Sequence, residues 1–155
     1  MDKRILLRKL PDHILSLLPK DEDERLARIS KLPELSETNP RGVAVGDVFK
    51  ISIMGDITKD RAEYAYLYLC AGASIVQHPH WKYREVYELY SGPELSVMGE
   101  KGKIFTCDKF DDNDGIHRID PVKEDTIVKS SKTLLSEKDI ELAMKRNRGE
   151  PYPLA

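Results

Sequence analysis

Cysteine is scarce in this chain. Cys70 and Cys107 are the whole complement, and neither belongs to a CxxC pair, which excludes a disulfide framework and a cysteine-rich zinc site. Two buried thiols in a reducing cytoplasm is the simplest reading. Long apolar runs are missing as well. The N-terminal stretch MDKRILLRKLPDHILSLLPKDEDER breaks its apolar patches with charge and proline, so neither a signal peptide nor a membrane span is expected, and a cytoplasmic location is. An excess of one charge is also lacking. Lys and Arg number 25 against 27 Asp and Glu, a formal net charge of -2, and a nucleic-acid partner, which calls for a basic face, is not expected. The basic cluster Met144 to Arg148 (MKRNR) reads as the solvated end of a helix. Internal repeats and low-complexity segments are absent.

What is present suits a folded domain. The chain has 155 residues, 40% apolar and 34% charged, enough for one domain with a sizeable core and too few for two ordinary ones. Three regions follow from pattern. Residues 1–40 read as a helical extension punctuated by Pro11, Pro19 and Pro33. Asp12 is placed to cap a helix through Leu18, and a second helix is expected from Asp21 to Leu32. Its apolar stripe of Leu26, Ile29 and Leu32 is narrow. This extension is expected to pack against the main domain or a partner subunit.

Residues 41–134 change character: short runs of Val, Ile, Tyr and Phe alternate with Gly, Asp, Asn and Pro. Strands are expected near 47–54, 63–70, 73–79, 85–91, 94–98, 103–109, 115–120 and 125–131, a spacing that argues for a sandwich or barrel. In Glu63 to Cys70 (EYAYLYLC), alternation sets Tyr64, Tyr66 and Tyr68 on one face and Ala65, Leu67 and Leu69 on the other. Both faces therefore need cover, and the tyrosines suit sheet packing or a dimer contact. Residues 135–155 open on Ser136-Glu-Lys-Asp139, an N-cap pattern, and continue as a C-terminal helix until Asn147 to Gly149.

The chemistry concentrates in GASIVQHPHWKYREVYELYSG, Gly72 to Gly92. Only four histidines occur in the chain, and His78 and His80 are two of them. Residues two apart on a strand share a face, so both imidazoles can approach one ion. Taken alone, such a pair is more often two half-buried, hydrogen-bonded histidines. Glu85 opens the next strand and can offer an oxygen across from them. Tyr87 and Leu89 share its face, whereas Val86, Glu88 and Tyr90 point away; alternation alone does not say which face is inward. A ligand from a distant strand would complete the site, and His117 in Asn113 to Asp120 is the candidate. His13 belongs to the helical region and reads as a surface residue. Lys82 and Arg84 could meet an anion but read as solvated, and Asp111, Asp112 and Asp114 read as a polar turn.

The spacing G-x5-H-x-H-x4-E-x6-G, filled by Gly72, His78, His80, Glu85 and Gly92, resembles the first signature motif of the cupin superfamily. The second motif is a poorer match. Gly102 can open it, but Asp108 stands where proline is usual, Phe110 to Asp114 looks like an insertion, and Pro121 replaces the asparagine. The departure bears on His117 more than on the fold.

The resemblance implies an all-β core, a double-stranded β-helix or jelly-roll barrel, flanked here by the N-terminal helices and the C-terminal helix. It implies a divalent transition metal (Fe, Mn, Ni, Co or Zn) held by His78, His80, Glu85 and His117, with Tyr87 as a possible pocket residue. A metal-dependent enzyme of isomerase, decarboxylase or dioxygenase type, acting on a small carbonyl- or hydroxyl-bearing molecule, is the expectation. The alternative is a non-catalytic cupin that senses a small ligand or metal. No membrane or nucleic-acid partner is expected, and a homodimer is, since cupins commonly pair.

Overall fold

The computed structural model describes residues 1–54, 63–79, 83–106, 116–134 and 137–138. His80, Trp81, Lys82, Cys107 and Asp111 to Asp114 lie outside them, as does nearly all of the expected C-terminal helix. Three short helices lead the chain: α1 (Lys3–Lys9), α2 (Asp12–Ser16) and α3 (Glu22–Ala27). The strands are β1 (Ile29–Lys31), β2 (Ala44–Val45), β3 (Val48–Met54), β4 (Glu63–Leu69), β5 (Ser74–Pro79), β6 (Tyr83–Ser91), β7 (Leu95–Val97), β8 (Glu100–Gly102), β9 (Ile104–Thr106), β10 (Ile116–Ile119) and β11 (Thr126–Leu134). They form a six-stranded sheet of order β1-β3-β4-β11-β6-β9 and a five-stranded sheet of order β2-β5-β10-β7-β8. Every pairing between these strands is antiparallel. No helix among the described residues is long and apolar enough to cross a membrane.

The six-stranded sheet carries apolar side chains on both faces, as the alternation in β4 requires. Leu67 and Leu69 of β4, Val48 of β3 and Val128 of β11 meet Ile75, Leu95, Val97 and Ile119 of the other sheet in the core between them. The opposite face presents Phe49, Ile51, Tyr66, Tyr68 and Ile127, and it is covered by Leu6, Leu7, Leu10, Ile14 and Leu18 of the helical segment. The tyrosine stripe is thus packed against the chain's own N-terminus.

Helices of seven, five and six residues are too short to persist alone, because nucleation is costly and few hydrogen bonds repay it. Burial holds them: each fully buried Leu or Ile contributes about 1.5–3 kcal/mol. Local signals set where two of them begin. The Asp2 carboxylate accepts from the Ile5 N–H to start α1, and the Asp21 carboxylate accepts from the Glu24 N–H to start α3. Asp12 does not cap α2; it is the first helical residue, and Pro11 occupies the cap with no side-chain bond.

The helix expected from Asp21 to Leu32 ends at Ala27. None of its six residues is buried, so a helical continuation would gain little. Extended backbone does better. Ile29 to Lys31 pair with Ile51 to Phe49, which buries Ile29 on the outer face, and the Leu32 N–H donates to the Val48 carbonyl while its side chain packs toward the inner core. A three-residue stripe was ambiguous between helix and strand, and the available sheet edge decided it.

The two glycines that bracket the histidine-rich stretch have positive φ, 85° at Gly72 and 128° at Gly92. L-residues avoid that region, so these positions need glycine for the turns leading into β5 and out of β6.

Candidate metal centre

The site is assembled from three strands. On β6, Glu85 and Tyr87 are buried toward the interior while Arg84 is exposed. The same alternation puts Leu89 in the inner core and Tyr90 against the outer cluster. On β10, His117 and Ile119 face inward. On β5, strict alternation would set His78 opposite to the core residue Ile75. It does not, because the pairing with β10 is irregular: His117 lies opposite His78, yet Ile119 lies opposite Ile75. Three residues of β5 thus span two of β10. This bulge re-aims His78 onto the face of Ile75, the use to which β-bulges are often put beside functional sites.

His78, Glu85 and His117 are 5%, 3% and 1% exposed. One potential ligand atom from each lies within 4.8 Å of the others. The His117 Nε2 is 2.9 Å from the Glu85 Oε1, and the two imidazole rings are 4.5 Å apart at 63°. The neighbours orient these groups. His78 Nδ1 lies 2.7 Å from the Val76 carbonyl oxygen, which can only accept, so the proton sits on Nδ1 and the lone pair on Nε2. The Ser130 hydroxyl donates to Glu85 Oε2 at 2.5 Å, leaving Oε1 toward His117. Lys132, directly across the β11–β6 ladder from Glu85, brings its ammonium to 3.9 Å of the same Oε2. The Tyr87 ring meets His117 edge-on, 5.6 Å between centroids at 74°.

This donor set fits a divalent transition metal. Two imidazoles and a carboxylate are borderline ligands of the kind such ions take, and bonds of about 2.0–2.2 Å place ligand atoms roughly 3–4 Å apart. The hydrogen bonds from His78 Nδ1 and to Glu85 Oε2 are the outer partners that metal ligands ordinarily carry. Among the expected ligands, the structure brings together His78, Glu85 and His117; His80 lies outside the described residues.

Beside the three side chains is a cavity of about 60 Å³. Leu32, Val43, Ala65, Leu67 and Ile75 form its apolar wall; His78, Glu85, Tyr87, Ser130, Lys50 and Lys132 supply its polar groups. Tyr87 thus lines this cavity. Lys50, Ser130 and Lys132 were not legible as lining residues. Lys50 occupies the same alternation step of β3 as the core residue Val48 and sits opposite Leu67, but a strand apolar on both faces gives no sign of which side its lysine takes. Ser130 is set between Ala65 and Tyr87 of the flanking strands. Its size gave no signal, since Ser131 beside it on β11 is the same residue.

No family model and no curated protein matches the sequence. Solved structures do match. A predicted oxalate decarboxylase from Thermotoga maritima aligns over 69% of this chain and 92% of its own, at 18% identity and a TM-score of 0.51. An acetylacetone dioxygenase from Acinetobacter johnsonii aligns over 78% of each chain at 12% identity and a TM-score of 0.47. A cupin-2 domain from Rhodospirillum rubrum aligns over 77% of this chain and 82% of its own, at 16% identity and a TM-score of 0.48. At such identities the likeness is one of fold. The Thermotoga maritima structure, whose TM-score exceeds 0.5, together with the two antiparallel sheets and the interior they enclose, shows an all-β jelly-roll core of the cupin type.

Proposed function

We propose that this protein is a metal-dependent enzyme acting on a small carbonyl- or hydroxyl-bearing molecule, with His78, Glu85 and His117 as ligands and His80 as the fourth. The observation that supports this reading most is the convergence of two imidazoles and a carboxylate from β5, β6 and β10, buried together, with His78 and Glu85 at the wall of a cavity. Without an ion, burying this cluster costs free energy that apolar residues would avoid. A bound divalent ion would supply Lewis acidity toward a carbonyl or hydroxyl oxygen.

The chain's own residues supply the rest. Ser130 and the Val76 carbonyl hold Glu85 and His78 in orientation. The apolar wall formed by Leu32, Val43, Ala65, Leu67 and Ile75 limits water around a bound molecule and strengthens the electrostatics inside. Tyr87 closes the cavity beside His117 and offers a phenol to a ligand. The reaction type, among isomerisation, decarboxylation and dioxygenation, is not selected by these residues.

Elemental analysis of protein purified without added metal, set against a His78→Ala/His117→Ala variant, tests the site. Near-stoichiometric metal in the wild type and its loss in the variant are expected. Absence of metal from both, after reconstitution with Fe, Mn, Ni, Co and Zn, would sink the reading. Turnover of metal-loaded protein against keto acids, diketones and sugar phosphates then separates an enzyme from a sensor, for which binding without turnover is the signature.

A further inference from the structure

We infer that the cavity takes the short alkyl part of a ligand whose oxygen-bearing end faces His78 and Glu85, and that Ala65 sets how long that part can be. This deepens the metal-enzyme reading and rests on it for the ion that would hold the oxygen end, while the wall is observed independently of any ion. The space originates in the register of the six-stranded sheet. Ser52 of β3, Ala65 of β4 and Ser130 of β11 stand side by side across the ladder, and Ala65 and Ser130 line the cavity. One step along the same face, the corresponding residues are Lys50, Leu67 and Val128, all larger. A row of small side chains beside larger ones leaves room that close packing would otherwise fill.

The rest of the wall is apolar and fixed. Ile75 comes from the second sheet, and Leu32 and Val43 come from the two ends of one loop. That loop is closed by the Val43 and Ala44 N–H groups, which both donate to the Pro33 carbonyl, and the Val76 N–H ties Val43 to β5 at 2.8 Å. Polar groups gather at the other end. Ser130 donates to Glu85, Lys132 faces the same carboxylate at 3.9 Å, and Tyr87 meets His117. Lys50 stands opposite Leu67, and the stem of a lysine is itself apolar. A ligand therefore meets polar groups at one end and hydrocarbon along its length. A hydroxyl set against that hydrocarbon would lose its water without gaining a partner, which disfavours sugars. Size narrows the class. At about 10–15 Å³ per water in this measure, the cavity of about 60 Å³ takes roughly four to six non-hydrogen atoms. Short-chain carbonyl compounds with an alkyl part of about one to three carbons match that space.

The test titrates the metal-loaded full chain with alkyl hydroxamates, which keep one metal-binding head while the tail varies. Affinity should rise about fourfold from acetohydroxamate to propionohydroxamate, the gain of one buried methylene, and fall again by hexanohydroxamate. Glycolohydroxamate, with a hydroxyl in place of the terminal methyl of propionohydroxamate, should bind at least about tenfold more weakly than it. In Ala65→Val the gain from acetohydroxamate to propionohydroxamate should vanish, while metal content and acetohydroxamate binding stay at the wild-type level. Leu67→Ala, which enlarges the space, should admit hexanohydroxamate. Equal binding of glycolohydroxamate and propionohydroxamate by the wild type overturns the alkyl assignment without recourse to any variant. Affinity that keeps rising through hexanohydroxamate overturns the size limit, and a chain-length gain that survives in Ala65→Val overturns the role of Ala65. Failure of the metal reading looks different: the wild type takes up no metal. The same pair of probes at millimolar concentration, followed by NMR on the metal-free chain, then decides the wall, and no preference for the methyl tail overturns the inference.

Discussion

The two faces of the six-stranded sheet were built from the same strands and to opposite ends. The outer face is closed. Phe49, Ile51, Tyr66, Tyr68 and Ile127 are packed under Leu6, Leu10 and Ile14, and the polar tip of Tyr68 donates to Asp125 at 2.7 Å. The inner face is apolar beside Val48, Leu69 and Val128, then turns polar where Lys50, Glu85, Ser130 and Lys132 meet the cavity. Apolar replacements of similar size would be expected to make that end more stable. The contrast teaches that the outer face is closed by packing, whereas the inner face joins an apolar core to a polar end beside a cavity, so substitutions on the outer face and at that polar end should fail in different assays.

Phe49→Ala should have the largest effect on the outer side, about 3–5 kcal/mol in denaturant unfolding, because a fully buried ring leaves a cavity that the short helices cannot fill. Metal content per folded molecule should be unchanged. A Phe49→Ala protein that keeps its stability but loses its metal would break the division between the faces. On the inner side, His117→Ala should lower metal affinity by about a hundredfold or more, beyond the range seen for outer-partner losses, and leave the metal-free unfolding midpoint close to wild type. Ser130→Ala should cost less, about tenfold in metal affinity, since Glu85 would keep its place but lose the hydroxyl that holds Oε2.

The smallest effect is at the rim of the outer face. The Tyr68 hydroxyl, with the Ala71 N–H in support, holds the Asp125 carboxyl below its ordinary value of 3.8 against the opposing effect of burial. The sign follows from that direction. A carboxyl with a lowered folded pKa contributes stability above the ordinary value and loses it as pH falls through the folded one. Tyr68→Phe should therefore cost about 1 kcal/mol at neutral pH, given a partly exposed partner. The gap to wild type should close as the medium is acidified below the ordinary carboxylate range. A gap that stays constant with pH would show that packing, not the ion-assisted bond, sets the contribution of Tyr68.

Much of this architecture was legible before any coordinates. The eight expected strands all appear among the described residues: 47–54 as β3 (Val48–Met54), 85–91 within β6 (Tyr83–Ser91), 125–131 within β11 (Thr126–Leu134). The two-residue period of a strand is a local property, and the split of Tyr66 and Tyr68 from Leu67 and Leu69 follows from it without knowledge of the neighbours. The glycine, histidine and glutamate spacing from Gly72 to Gly92 likewise pointed to the fold and to two of the three side chains that the structure brings together, His78 and Glu85, because a turn needs its glycines at fixed positions.

Tertiary structure alone decided the remainder. Whether Ile29 to Lys31 coil or extend depended on an open edge of β3, which no local stripe encodes. The aim of His78 depended on a bulge visible only as a register slip between β5 and β10. The inward turn of Lys50 depended on which face of β3 met the second sheet. In each case local propensity left two states close in energy, and burial against a distant partner, worth a few kcal/mol, selected one.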